Sequence, residues 1–397
     1  MQIITALSTS LTIYFVLFCV VYFYQTFLVL CLILLFSCSP GEKKSKFNKE
    51  ALVEEMPQID TNLLIESTKS KIDKFILDRS KDNDLSGAFL FAKGGKVYKN
   101  AFGKARKLKG ADVGVNDVFQ LASVSKFITA ICILRLVDEG TLKLTDTIQN
   151  IIPDFKYRRV TVHHLLTHSS GLPEYTYLTD GAWRNDSTPK YNKDFVDVLH
   201  CERAHPYFNA GRRFNYCNSN FALLAYIAEL KTNLTFPEVV KKYIKAPLAL
   251  DSLHVFEVDK KGVKHYPVWG MRGDHSFIPD HQQNNINGDK GIYTNVGEMY
   301  LIYKALSENK LLSKESKKLL LTPHVRVKRR NAQYYCYGLR QIKLDNGKIW
   351  HYHNGWWHGF RSYFWFSLEQ DKCIILLTNR LKGGFVNTKD MVHLLDD

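Results

Sequence analysis

The spacing of apolar and polar positions changes character three times along the chain. Residues 87–103 read Gly-Ala-Phe-Leu-Phe-Ala-Lys-Gly-Gly-Lys-Val-Tyr-Lys-Asn-Ala-Phe-Gly, two apolar runs on either side of Gly94-Gly95. Paired glycines take the positive φ of a tight turn, so this stretch predicts a β-hairpin. From Tyr334 the chain is rich in β-branched and aromatic residues, and strands are predicted at Tyr334–Leu344, Lys348–His353, Phe360–Phe366 and Lys372–Thr378, with a turn at Asp345-Asn-Gly347. Between these regions the spacing is helical. Leu63, Leu64, Ile72, Phe75 and Ile76 suit an amphipathic helix over 61–79. A strongly apolar helix is predicted from Ser123 to a C-cap at Gly140. Thr161 is placed to cap a short helix, Asn218–Lys231 reads as another, and Asn295 with Glu298 has capping-box spacing before a helix through Leu306. A short last helix is expected after Phe385. Front hairpin, helical middle (about 141–285) and back antiparallel strands together suggest one α/β (α+β) unit. The outer parts would share one sheet, the helical region would be an insertion, and the cleft would lie between sheet and helices.

The first 41 residues contain no charged side chain, and their apolar run is long enough to span a bilayer. It ends in Leu35-Phe-Ser-Cys38-Ser, which resembles a bacterial lipobox and makes Cys38 the candidate lipidation site. Lys43, Lys44 and Lys46 follow the run and none precedes it, a bias that by itself would put the following domain in the cytoplasm; a retained membrane helix is the alternative to the lipoprotein. Either way residues 1–38 are expected to be a signal peptide or membrane anchor, 39–60 a tether, and 61–397 the folded domain. The lipobox reading, preferred over the retained helix, puts the domain at a bacterial cell envelope, outside the cytoplasm.

Composition changes this picture little. With 45% hydrophobic and 23% charged residues the chain is ordinary for a globular protein. A net charge of +15 raises the question of nucleic acid, but the basic residues are scattered and no nucleic-acid motif accompanies them. A solvated basic surface near an anionic envelope is preferred. Outside the N-terminal run, Cys132, Cys201, Cys217, Cys336 and Cys373 show neither close pairing nor metal spacing and are read as small buried residues. His163, His164 and His168 are read as structural, because no metal motif is completed around them or around His351-x-His353.

The chemistry is sought at Ser123. Serine is a poor nucleophile until a neighbouring base takes its proton. Positions i and i+3 share a helix face, so Lys126 is in reach of the Ser123 hydroxyl, and the helix N-terminus favours a developing oxyanion. The spacing is weak by itself. Ser187–Lys190 and Ser307–Lys310 repeat it, and a plain helix cap at Ser123 fits the same residues.

Leu121-Ala-Ser-Val-Ser-Lys126 resembles the nucleophile motif of the serine β-lactamase and penicillin-binding-protein superfamily. Val162-His-His-Leu-Leu-Thr-His-Ser-Ser-Gly-Leu-Pro173, Gly211-Arg-Arg-Phe-Asn-Tyr-Cys-Asn-Ser-Asn220, Gly288-Asp-Lys-Gly-Ile-Tyr293 and His353-Asn-Gly-Trp-Trp-His-Gly-Phe360 resemble stretches of its class C-like branch, in the expected order. The resemblance covers about residues 70–380 and implies a β-lactamase/transpeptidase-like fold. It implies Ser123 as the acylated nucleophile, Lys126 as its partner, and Tyr216 as a proton-transfer group. Asn218 would position Lys126 and substrate. His353-Asn354-Gly355 would be the third motif, with Gly355 admitting the substrate backbone and the Trp356 N–H joining that of Ser123 in an oxyanion hole. No metal or organic cofactor is implied.

The third motif departs from the family's common Lys-Thr-Gly. Histidine with an ordinary pKa near 6.5 is mostly neutral at pH 7. If a protonated His353 assists, acylation should weaken as pH rises through that value. Asn354 also lacks the hydroxyl that helps hold a β-lactam carboxylate. The expected function is therefore an acyl-enzyme serine hydrolase acting on a D-amino-acid peptide, amide or ester rather than an efficient β-lactamase. The alternative is a non-catalytic member that binds envelope peptides or partners. The sequence leaves oligomeric state open.

Overall fold

The computed structural model describes residues 64–83, 85–105, 111–183, 188–259, 262–263, 268–274, 276–279, 281–328, 333–381 and 386–395. The expected anchor, Cys38 and the tether lie outside them. Among the described residues no helix is long and apolar enough to cross a membrane.

The predicted hairpin is strands β1 (Gly87–Lys93) and β2 (Lys96–Phe102), turning through Gly94 and Gly95 at φ of 58° and 75°. Short strands β3 (Phe119–Gln120), β4 (His254–Val255), β5 (Val258–Asp259), β6 (Gly262–Val263) and β7 (Ile292–Thr294) follow within the helical region. Then come β8 (Val325–Lys328), β9 (Gln333–Tyr335), β10 (Arg340–Lys343), β11 (Ile349–Trp357), β12 (Phe360–Ser367) and β13 (Lys372–Thr378). The large sheet has the order β2-β1-β13-β12-β11-β10-β9-β8, and every pair is antiparallel. The front hairpin and the back strands thus share one sheet, closed by β1 on β13.

The span Tyr334–Leu344 is not one strand. It breaks at Cys336–Leu339, where the Cys336 N–H donates to the Leu339 carbonyl and Gly338 has φ of 67°. A Cβ at Gly338 would stand 2.5 Å from the Lys126 carbonyl. Contact with the helix that carries Lys126 therefore forces the break, and β-propensity alone does not register it. The capping box at Asn295 is half formed. Asn295 Oδ1 accepts the Glu298 N–H, but the Glu298 carboxylate turns to the Ser252 N–H at 2.5 Å and the Thr294 hydroxyl at 2.7 Å.

Both faces of the central strands are covered, so β1 and β13 read as near-continuous apolar runs. On one face Phe89, Trp350, Tyr352, Trp365 and Ile374 pack with Ile72 and Ile76 of helix Glu66–Asn83 and with Met391 and Val392 of helix Thr388–His393. On the other, Leu90, Phe364, Phe366 and Ile375 join the larger core of the helical region. At its centre is helix Ser125–Asp138, buried from Ser125 through Leu136 and apolar apart from Ser125, Lys126, Thr129 and Arg135 over that stretch.

Candidate active site

The position of Ser123, the candidate nucleophile, is set by a strained turn. β3 pairs with β7, and the Leu121 N–H donates to the Ile292 carbonyl at 2.8 Å. Ala122 then takes φ of 47°, sparsely populated for a residue with a Cβ, and Ala122–Val124 form a 3₁₀ turn before the α-helix starts at Ser125. Ser123 therefore stands on the turn ahead of the helix, not in its first turn as the spacing suggested. Two features hold the turn against the sheet. The Ser362 hydroxyl on β12 donates to the Leu121 carbonyl, and Gly355 on β11 lies so close that a Cβ there would meet that carbonyl at 2.5 Å and Ala122 Cβ at 3.0 Å. In this protein Gly355 admits the nucleophile turn itself.

Lys126 is completely buried, and its Nζ has three polar neighbours. It lies 3.1 Å from Ser123 Oγ, and it donates to Asn218 Oδ1 and to the Asp289 carbonyl, each at 2.8 Å. One turn along, the Thr129 hydroxyl donates to the Gly288 carbonyl at 2.7 Å, so adjacent carbonyls of one segment are received by side chains three apart on the helix. Asn218 opens helix Asn218–Thr232, and its N–H donates to Glu174 Oε2 at 2.7 Å. Burial raises the Glu174 carboxyl above the usual range, opposed by the N–H groups of Asn218 and Thr176, with the Asp289 carboxylate adding to the rise. Asp289 is buried in turn with Lys290 and Tyr175. Lys290 Nζ donates to Tyr175 Oη at 2.5 Å and lies 3.4 Å from Asp289 Oδ1. Burial lowers the Lys290 pKa.

The Tyr216 ring covers Lys126, with Nζ 5.0 Å from its centroid. Among the described residues its hydroxyl has no hydrogen-bond partner. His168 packs on the same ring at 4.4 Å, and His353 at 6.0 Å. His353 is 2% exposed, with Nδ1 at 2.8 Å from the Asn354 carbonyl and Nε2 at 3.4 Å from Tyr335 Oη. Burial first, then Lys126 and Arg340, holds its pKa well below 6.5. Burial therefore disfavours a protonated His353 near pH 6.5. Asn354 is exposed, and its Oδ1 accepts the Trp365 indole N–H at 2.7 Å.

The register of β11 places the Trp356 amide. His358 and Gly359 have φ of 42° and 85° in a two-residue turn, which makes Trp357–Phe360 a hydrogen-bonded pair. Alternation then turns the N–H of Trp356, opposite Arg361, away from β12. On that side β10 ends at Arg340, opposite Tyr352, so the Trp356 N–H faces no strand there. The contacts of Gly355 set this amide beside the nucleophile turn.

The remaining candidates fall elsewhere. Ser307 ends a helix and donates to the Lys304 carbonyl, and Ser187 lies outside the described residues. His163 bonds Tyr337 at 2.8 Å, and His164 completes a capping box with Thr161. Nε2 of His351 is 3.0 Å from the Leu321 carbonyl. Among the described residues no group of three or more His, Cys, Asp or Glu side chains is arranged for a metal ion. Cys132, Cys217, Cys336 and Cys373 are buried free thiols, and Cys201 is half-buried. Sequence reasoning missed Glu174, Tyr335, Arg340 and Ser362, which carry no spacing signal, and gave no role to Asp289 although it lies in the family-like Gly288–Tyr293 stretch.

Residues 72–396 match the family model described as Beta-lactamase. Penicillin-binding protein 4* of Bacillus subtilis is 28% identical over 315 residues, 75% of this chain and 69% of that protein. The penicillin binding protein from Bacillus halodurans superposes with a TM-score of 0.67 at 25% identity, covering 81% of this chain and 98% of that one. A D-stereospecific amidohydrolase from Streptomyces sp. has a TM-score of 0.65 at 20% identity, covering 83% and 98%.

Proposed function

The chain belongs to the Beta-lactamase family, and from that premise we propose that it is a serine hydrolase in which Ser123 is acylated with Lys126 as base. The observation that carries this reading is the environment of Lys126 Nζ. A neutral amine has two N–H groups and one lone pair. Asn218 Oδ1, in the orientation that bonds Lys126, and the Asp289 carbonyl can only accept, so they take both hydrogens. In the neutral form that a base requires, the lone pair is left for the third neighbour, the Ser123 hydroxyl at 3.1 Å, whereas the ammonium form would donate to all three.

Ser123 Oγ attacks the substrate carbonyl carbon as its proton passes to Lys126. The N–H groups of Ser123 and Trp356 hold the oxyanion, a role worth about 3 kcal/mol per donor. Collapse expels the leaving group, which takes its proton through the unpartnered Tyr216 hydroxyl. Water then attacks the ester to Ser123, passing a proton to the Tyr216–Lys126 pair, which returns one to Ser123 Oγ as the acyl group leaves as the acid.

Two features support an anionic peptide-like or amide substrate. The Arg340 guanidinium lies 5.5 Å from the Tyr216 ring and 5.7 Å from the Tyr335 ring, with no carboxylate paired to it among the described residues. The similar Streptomyces protein is a D-stereospecific amidohydrolase. A panel of D-alanyl peptides, D-amino-acid amides, nitrophenyl esters and a chromogenic cephalosporin tests the substrate reading. Turnover of the peptides or amides well above the cephalosporin is expected, and the reverse order overturns it.

A further inference from the structure

Two buried residues, His168 of the Val162–Pro173 stretch and Tyr335 outside the family-like stretches, connect Tyr216 to the third motif. His168 has φ of 54°, and its carbonyl receives the Asn215 N–H at 2.8 Å. Its Nδ1 accepts from the Cys217 N–H at 3.2 Å and from Asn220 Nδ2 at 2.9 Å. The amide of Asn220 is oriented by the Ser170 hydroxyl, which donates to Asn220 Oδ1 at 2.5 Å. Nδ1 therefore bears no hydrogen, and in a neutral imidazole the hydrogen is on Nε2. It points to Tyr335 Oη at 3.0 Å. The Tyr335 hydroxyl, having accepted there, has its own hydrogen for its second neighbour, His353 Nε2 at 3.4 Å. His353 Nδ1 meets the Asn354 carbonyl at 2.8 Å, which can only accept. Every bond in this run has one consistent direction.

We propose that His168 and Tyr335 are positioning residues, which hold His353 as its Nδ1–H tautomer and so fix the Asn354 carbonyl and the peptide next to the one bearing the Trp356 N–H. His353 then contributes neither a proton nor a charge to the substrate, since Tyr335 occupies its Nε2. The same His168 ring clamps Tyr216 over Lys126. The run acts on the geometry of the transition state and not on substrate capture. The proposal rests on the reading of Ser123 and Lys126 as nucleophile and base.

The test reads the ring nitrogens of the full chain labelled with ¹⁵N-histidine, in ¹H–¹⁵N spectra assigned with His353→Gln and His168→Asn. His353 is expected to carry its hydrogen on Nδ1 and His168 on Nε2, two opposite tautomers in one site. Tyr335→Phe keeps the ring and removes the hydroxyl. An Nε2–H form of His353 should then appear, and acylation by a nitrophenyl ester should slow roughly tenfold with KM within about twofold, the scale of one lost hydrogen bond. A wild-type His353 protonated on Nε2 overturns the proposal, as does a Tyr335→Phe variant unchanged in both tautomer and rate. If that variant does not fold, the wild-type spectrum decides alone. The spectrum needs no turnover, so failure of the positioning run is distinct from failure of the acylation reading.

Discussion

The two faces of β11 are built from alternate residues of one strand and meet different demands. Trp350 and Tyr352 point into the outer layer, where Tyr352 stacks on Trp365 at 4.0 Å under two helices. His351, His353 and Gly355 point inward, where His353 and Gly355 face the nucleophile turn and polar groups with fixed partners. The outer face is held by apolar area, which tolerates change as long as volume is kept. On the inner face a lost partner strands a buried polar group, and a small shift moves the chemistry. Substitutions on the outer face should therefore reduce stability first, and those on the inner face should reduce activity first.

The largest separation is expected at Ser123. Ser123→Ala should lower hydrolysis by about 10⁴-fold or more, with unfolding free energy within about 1 kcal/mol of wild type by denaturant titration. The outer counterpart is Trp350→Ala, which should cost about 3–5 kcal/mol of stability. Its folded fraction, measured at low temperature, should keep acylation rates within a few-fold. If both variants lose activity and stability together, the two faces are not separable.

Gly355→Ala comes next and sharpens the boundary. The added Cβ would meet Ser362 Oγ and the Leu121 carbonyl, and the strand and the nucleophile turn cannot both stay in place. Acylation should fall about 10²-fold, the cost of roughly 1 Å of misplacement, with about 1–3 kcal/mol lost in stability.

The effect of pH is smaller. His353 and His168 are held well below 6.5, chiefly by burial, and His163, His351 and His358 are lowered to about 4. As pH falls below about 6.5 the unfolded chain binds protons that the native histidines refuse, so their contribution to stability is full above about 6.5 and declines toward pH 4. Thermal melts from pH 8 to 4 should show this decline, while the acylation rate shows no His353 inflection between pH 5 and 8. A clear inflection near 6.5 that disappears in His353→Gln would contradict the burial argument. The smallest effect is expected at Trp356→Ala. The side chain is 61% exposed, and the oxyanion role assigned to this residue belongs to its backbone. Stability should stay within about 0.5 kcal/mol, and acylation within a few-fold.

This contrast also explains what was legible in advance. The hairpin at Gly94-Gly95 and the cap at Thr161 are local signals, and both formed as expected. The serine, lysine, tyrosine and histidine motifs were found from short spacings and family likeness, and the fold brings Ser123, Asn218 and Tyr216 around Lys126, with His353 against Tyr216. The rest of the site depends on carbonyls, turns and distant contacts. Ser362 holds a carbonyl 241 residues earlier in the chain, Lys126 is received by the Asp289 main chain, and Ala122 is strained by its surroundings. Backbone groups carry no residue identity, so no pattern of side chains announces them.

The most direct test of the central claim is intact-mass and peptide mass spectrometry of the folded chain after exposure to a fluorophosphonate and to penicillin. One covalent adduct on Ser123 with at least one probe is predicted, absent in Ser123→Ala and strongly slowed in Lys126→Met. No adduct with either probe, or an adduct that persists in Ser123→Ala, would contradict it.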